Sequence, residues 1–244
     1  MRLTELVPLT LIALASLPRP LHAEASAELL DLAARVHYGY YHGDARAIEA
    51  AQAALERFAD SPEARYYRDF AALRRVQLGL NDRTAARRLS ECAQREVDLE
   101  LRGPVAADAA VLVAACAFVS GDDRRLAQAL VLARAYDDDN PRIALVEAWV
   151  AQRNQGSDPE RRAAAAAKLT AAVAAFEAWT PSIDDPDWGH AEALTALGAS
   201  ALERGEVRTA RDLFERALLL APDYRVAVEL RTAVQARAAG NRAL

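Results

Sequence analysis

The chain has almost no lysine. Of its 30 basic residues only Lys168 is a lysine, and the arginines are spread among 35 acidic residues for a net charge of −5. No basic face or nucleic-acid motif emerges, which argues against a nucleic-acid partner. Aromatics are scarce, at 6%, which argues against a large aromatic core. Glycine and proline, ten of each, fall singly at intervals and not in the clusters of a linker. No stretch alternates apolar and polar residues long enough to read as a strand.

Catalytic signals are also missing. Beyond the N-terminal segment the histidines are His37, His42 and His190. His37 and His42 are five apart, not the four that align two ligands on one helical face. No phosphate-cradling glycine loop, nucleophile motif or zinc spacing occurs. A non-enzymatic protein with no cofactor and no metal is expected.

What is abundant is alanine, roughly a quarter of the chain. Alanine has the highest helix propensity and lets helices pack closely. The fold class expected is all-α.

Residues 1–23 read as a secretory signal peptide. Leu6 to Leu17 is a short apolar run, well below the ~20 residues that span a bilayer. Pro18 and Pro20 break it, and cleavage is expected after Ala23. A retained hydrophobic anchor is the alternative. The expectation is one mature domain, 24–244, with no stable membrane span after cleavage. The Ala- and Arg-rich composition suggests a bacterial source, so a periplasmic or secreted location follows.

The mature chain falls into helix pairs. The clearest runs from Ala191 to Pro222. Its first helix contains Leu197-Gly198, Gly205 ends it, and the second places Ala210, Phe214 and Ala217 on one face before Pro222. Earlier pairs turn at Gly43, Asn81, Gly121 and Gly156, about 40 residues apart on average. Val105 to Val119 is nearly all apolar and is expected to be the most buried helix. Asp223 to Ala239 reads as a final capping helix.

The spacing of Leu197, Gly198, Gly205, Ala210, Phe214, Ala217 and Pro222 resembles the tetratricopeptide repeat. The match covers 191–224, and weaker, degenerate repeats extend over 25–180. Leu194 and Ala201 stand where that family often has large aromatics. The resemblance implies a right-handed helical solenoid, here of about five helix pairs plus a C-terminal cap. It also implies a role in binding a protein or peptide, with the first helix of each pair lining a concave groove.

Cys92 and Cys116 form an even count in a chain expected to be exported, which suggests a disulfide. If helices 83–99 and 105–119 form an antiparallel hairpin, the two cysteines stand equally far from the turn at Gly103-Pro104. Two buried thiols are the alternative.

A dense aromatic cluster, His37, Tyr38, Tyr40, Tyr41 and His42, lies on the first helix. Tyr67, Arg68 and Arg75 lie on the next first helix. Among these, His37, Tyr38, Tyr41, Tyr67, Arg68 and Arg75 are the candidate partner-binding residues, suited to a peptide with aromatic and acidic groups. Packing between repeats and solvated arginines is the alternative. Asp137-Asp138-Asp139-Asn140 has the oxygens of a cation site, but helix termination before Pro141 explains it better. Trp179 and Trp188 flank a loop, 180–187, and are expected to pin it.

Three functions compete. A periplasmic or exported adaptor or scaffold that binds a protein or peptide comes first. A structural subunit of a cell-envelope assembly, using its convex face or cap, comes second. An enzyme or metal protein comes last.

Overall fold

Helix starts are written into the sequence as capping side chains. Asp44, Ser61, Asp82, Asp122, Asn140 and Asp158 each accept a hydrogen bond from a backbone N–H in the first turn that follows. Those N–H groups have no partner within the helix, so a side-chain oxygen there fixes the starting point. Pro62, Pro141 and Pro159 stand at first-turn positions, where a missing N–H costs nothing.

Helix ends repeat as well. The Gly43 N–H donates to the Tyr40 carbonyl and the Asp44 N–H to the Gly39 carbonyl. The same two bonds recur at Gly121-Asp122 and Gly205-Glu206, each glycine with a positive φ. This closure needs a left-handed residue, which glycine adopts without a Cβ penalty.

The computed structural model describes residues 21–58, 61–80, 82–96, 103–181 and 186–240. Among these the chain is all-α, with eleven α-helices and one short 3-10 turn, Glu56–Phe58. They are α1 (Leu21–His42), α2 (Ala45–Leu55), α3 (Pro62–Gln77), α4 (Arg83–Ala93), α5 (Gly103–Ser120), α6 (Asp123–Tyr136), α7 (Pro141–Asn154), α8 (Pro159–Ala178), α9 (His190–Glu203), α10 (Val207–Leu220) and α11 (Arg225–Gly240). Consecutive helices pack as pairs, α1 with α2 through α9 with α10, and α11 packs on α10. No helix among the described residues is long and apolar enough to cross a membrane. Residues 1–20 of the expected signal segment lie outside the described residues, as do Asn81, Leu99, Asp184 and Asp185.

The first helices α1, α3, α5 and α7 pack side by side in order. In α5, Ala106 through Ala117 is buried almost without interruption, as its apolar sequence requires. In the last pair, Ala210, Phe214 and Ala217 are fully buried against α9. A Cβ added at Gly198 would stand 2.6 Å from the Phe214 ring, so the close approach of α9 and α10 depends on that glycine.

The array closes on itself. The Tyr40 and Tyr224 hydroxyls lie 3.4 Å apart, and His42 stands 3.4 Å from Asp223. The end of α1 thus meets the α10–α11 turn, and the first and last pairs touch.

Cys92 and Cys116 are joined by a disulfide, and both are fully buried. The hairpin that joins them is not the symmetric one their spacing suggests. Helix α4 stops at Ala93 and does not run on toward Leu99. The chain after it lies against the α5–α6 turn instead. Gln94 donates to Asp122 at 2.9 Å, and Arg125 donates to the Ala93 and Arg95 carbonyls. Both cysteines therefore stand near the C-terminal ends of their helices. The bridge closes a 24-residue separation, and a loop of that size contributes about 3 kcal/mol in the chain-entropy account.

Candidate functional site

Tyrosine, tryptophan and arginine are concentrated where the first helices converge, and they build two adjoining regions. The first is closed. Arg74 on α3 and Arg142 on α7 are completely buried. Burying an unpaired guanidinium is prohibitive, so each must have an anion. Arg74 donates to Glu192 on α9 and, at 2.7 Å, to Gln77. Arg142 donates to Asp108 on α5 at 3.2 Å and to the Pro186 carbonyl. Asn140 also donates to Asp108, at 2.7 Å.

Trp188 fills the space between the two cations. Its ring lies 5.4 Å from each guanidinium, and its indole N–H donates to the Tyr66 hydroxyl at 2.9 Å. Arg74 also stacks 4.0 Å from the Tyr40 ring and 4.7 Å from Phe70. Arg142 lies 4.8 Å from the Trp179 ring. Such contacts gain strength when water is excluded. The segment 186–189, just before α9, therefore lies between α3 and α7 and fills the space between their buried arginines. Gly189 makes this placement possible. Its φ is +108°, and a Cβ there would collide with Phe176.

The second region is open. A cleft of about 420 Å³ lies between α1 and the α10–α11 turn. Its walls include His37, Tyr38, Tyr41 and Tyr67, with Leu30 and Leu220 at the rim. Tyr41 lines the cleft and donates to Glu192 at 3.3 Å, which links the cleft to the closed region. The charged residues at the mouth are Asp187 and Asp223. Tyr38 stacks on His42 with ring centres 4.0 Å apart, yet remains 56% exposed.

Compared with known proteins, the chain matches no family model and no curated sequence.

Burial sets the protonation of these groups. It raises the hydroxyl pKa of Tyr66, and raises Tyr41 and Tyr224 well above the phenolic norm. His37 is pushed down from 6.5 to about 3, first by burial and then by the charges of Arg74 and Arg142. Its Nδ1 is buried without a hydrogen-bond partner. A neutral imidazole and neutral phenols add no charge of their own at neutral pH. Among the described residues, no group of three or more His, Cys, Asp or Glu side chains is arranged to hold a metal ion.

The six residues singled out from the sequence divide between two places. His37, Tyr38, Tyr41 and Tyr67 come together in the cleft. Arg68 and Arg75 do not. Arg68 donates to Glu56 at 2.7 Å, and Arg75 bridges Gln52 on α2 and Asp82 at the start of α4. The acidic stretch before α7 is used locally. Asn140 caps α7, and Asp138 pairs with Arg134.

The sequence reading missed Arg74, Arg142, Asp108 and Glu192. One signal was available. Asp108 is the single charge in the apolar run from Val105 to Val119, and a lone charge in a buried helix requires a buried partner of opposite sign. Arg74 carries no such mark, because Arg75 beside it looks identical in sequence.

Proposed function

We propose that this is a non-catalytic, tetratricopeptide-like adaptor or scaffold of the bacterial periplasm or exterior that binds a protein or peptide partner at the seam between its first and last helix pairs. The observation that carries the reading is the coincidence of a cleft with exposed apolar side chains. Leu30 is 49% exposed, Tyr38 56% and Leu220 53%, and all three line the same cleft. Exposed apolar groups gathered at one concavity mark an interaction site, whereas scattered ones do not. The helix pairs with their repeated glycine turns support the solenoid comparison. The filled space between α3 and α7 directs the partner to the seam instead of a central groove. The buried disulfide fits an oxidising compartment.

The second reading, a structural subunit contacted on its convex face, has its own observation. Val131 on the second helix of the third pair is 69% exposed, with Leu132 beside it. A photoreactive side chain at position 38 and another at 131, each exposed to envelope extract, separate the two. Crosslinks to one partner from position 38 and none from 131 support the adaptor. Crosslinks from 131 alone favour the structural subunit.

A further inference from the structure

We infer that the seam cleft recognises a basic side chain, a lysine or arginine carried on an otherwise apolar peptide segment. This deepens the adaptor reading and rests on it.

The charge at the cleft sets the sign. Asp187 and Asp223 line it, and among the described residues no lysine or arginine does. Three of the four arginines of α3, which would draw an acidic peptide, are engaged elsewhere. Arg68 is held by Glu56, Arg74 by Glu192 and Arg75 by Asp82. Arg225, on the neighbouring helix, pairs with Glu229 at 3.1 Å. Asp223 faces His42 across the seam at 3.4 Å and keeps most of its carboxylate surface open to solvent.

The aromatic walls agree with that sign. Tyrosine ring faces attract cations, and Tyr38, Tyr41 and Tyr67 present three rings at one concavity. His37, held neutral, adds a ring without an opposing charge. Leu30 and Leu220 supply the apolar rim that flanking aliphatic side chains would cover. A lysine or arginine places an apolar stem against such walls and its charge at the acidic mouth.

The test uses the full mature chain with its disulfide intact, titrated by calorimetry. The probes are short blocked peptides alternating leucine with lysine, with glutamine or with glutamate. The lysine peptide is expected to bind about tenfold more tightly than the glutamine peptide, and the glutamate peptide not at all. Joint Asp187→Asn and Asp223→Asn substitution is expected to bring the lysine peptide down to the glutamine level and leave the glutamine peptide unchanged. Tyr38→Ala is expected to abolish binding while circular dichroism stays unchanged.

Equal binding of lysine and glutamine peptides, both lost in Tyr38→Ala, overturns the inference about charge and leaves the cleft as a binding site. Binding of none of the peptides, or binding indifferent to Tyr38→Ala, overturns the cleft itself. N-acetyl-lysinamide binding as tightly as the lysine peptide overturns the peptide as occupant and leaves a small-cation site.

Discussion

Two regions of this protein use the same side-chain chemistry for opposite ends. At the centre, Arg74 and Arg142 are paired with Glu192 and Asp108, lie over aromatic rings and are buried. At the seam, Tyr38, Tyr41, Asp187 and Asp223 face a cleft that stays open. The charges of the centre already have partners of opposite sign, though the Nε atoms of Arg74 and Arg142 are buried without an acceptor. The cleft has aromatic surface and carboxylates turned toward solvent. Composition alone does not separate a structural network from a recognition surface. Burial of the charges does: Arg74 and Arg142 are fully buried, whereas Asp223 is largely exposed.

The largest expected effect lies at the centre. Glu192→Ala removes the anion from a guanidinium that has no exposed surface and also takes an acceptor from Tyr41 and from the Gly189 N–H. Breaking a buried pair by deleting one partner costs about 3–5 kcal/mol. Urea unfolding of the variant reads that loss. Arg74→Met combined with Glu192→Met is expected to recover part of it, since the uncompensated charge is then gone. Loss of less than about 1 kcal/mol in Glu192→Ala would mean the centre is more hydrated than its burial indicates.

Trp188→Phe comes next. It keeps a ring between the two guanidinium groups but gives up the hydrogen bond to Tyr66 and part of the packed volume. The expected cost is about 1–3 kcal/mol, from an unpaired buried hydroxyl and a small void. The same unfolding measurement applies. If Trp188→Phe were neutral, the segment 186–189 would be a passive occupant of the space between α3 and α7 and not one of its supports.

His37 belongs to both regions, since it lines the cleft and feels the charge of Arg74 and Arg142. Its folded pKa of about 3 lies below the ordinary 6.5. Above pH 6.5 both folded and unfolded chains hold it neutral, and its contribution is fully present. As pH falls from 6.5 toward 3, the unfolded chain takes up a proton that the folded chain refuses, so stability declines. The slope is at most about 1.4 kcal/mol per pH unit, and the ring's partial exposure reduces it. Comparing unfolding midpoints at several pH values for the wild type and His37→Gln isolates this one group. The variant is expected to lose stability less steeply over that window.

The sequence carried the pairing of helices because its signals are local. Glycine turns, capping Asp and Ser residues and first-turn prolines each act within one helical turn, and they place five pairs and a last helix. The disulfide was legible for the wrong geometric reason. Cys92 and Cys116 are equidistant from Pro104, but they meet because α4 ends early and its continuation packs on the α5–α6 turn. The aromatic wall of the cleft was legible because His37, Tyr38 and Tyr41 are close in sequence. Arg68 and Arg75 were separated from it by packing that involves α2 and the start of α4. The central network was not legible, since Arg74 and Glu192 are 118 residues apart. Periodicity places a residue on a face. It does not say which distant helix that face will meet.

The smallest expected change in stability is the one that bears most on function. Tyr38 is exposed, and its main contact is a stack on His42, so Tyr38→Ala is expected to shift unfolding by no more than about 0.5 kcal/mol. A residue kept only for packing would cost more, because a large side chain buried in a core leaves a cavity when truncated. A residue kept for recognition leaves the fold intact and removes the partner. The two measurements therefore have to be read together on one preparation: unfolding by urea, and capture of a partner at the seam. Unchanged stability with lost capture places Tyr38 in the recognition surface. A stability loss approaching that of Trp188→Phe would make the cleft an extension of the packed centre, and the contrast between the two regions would disappear.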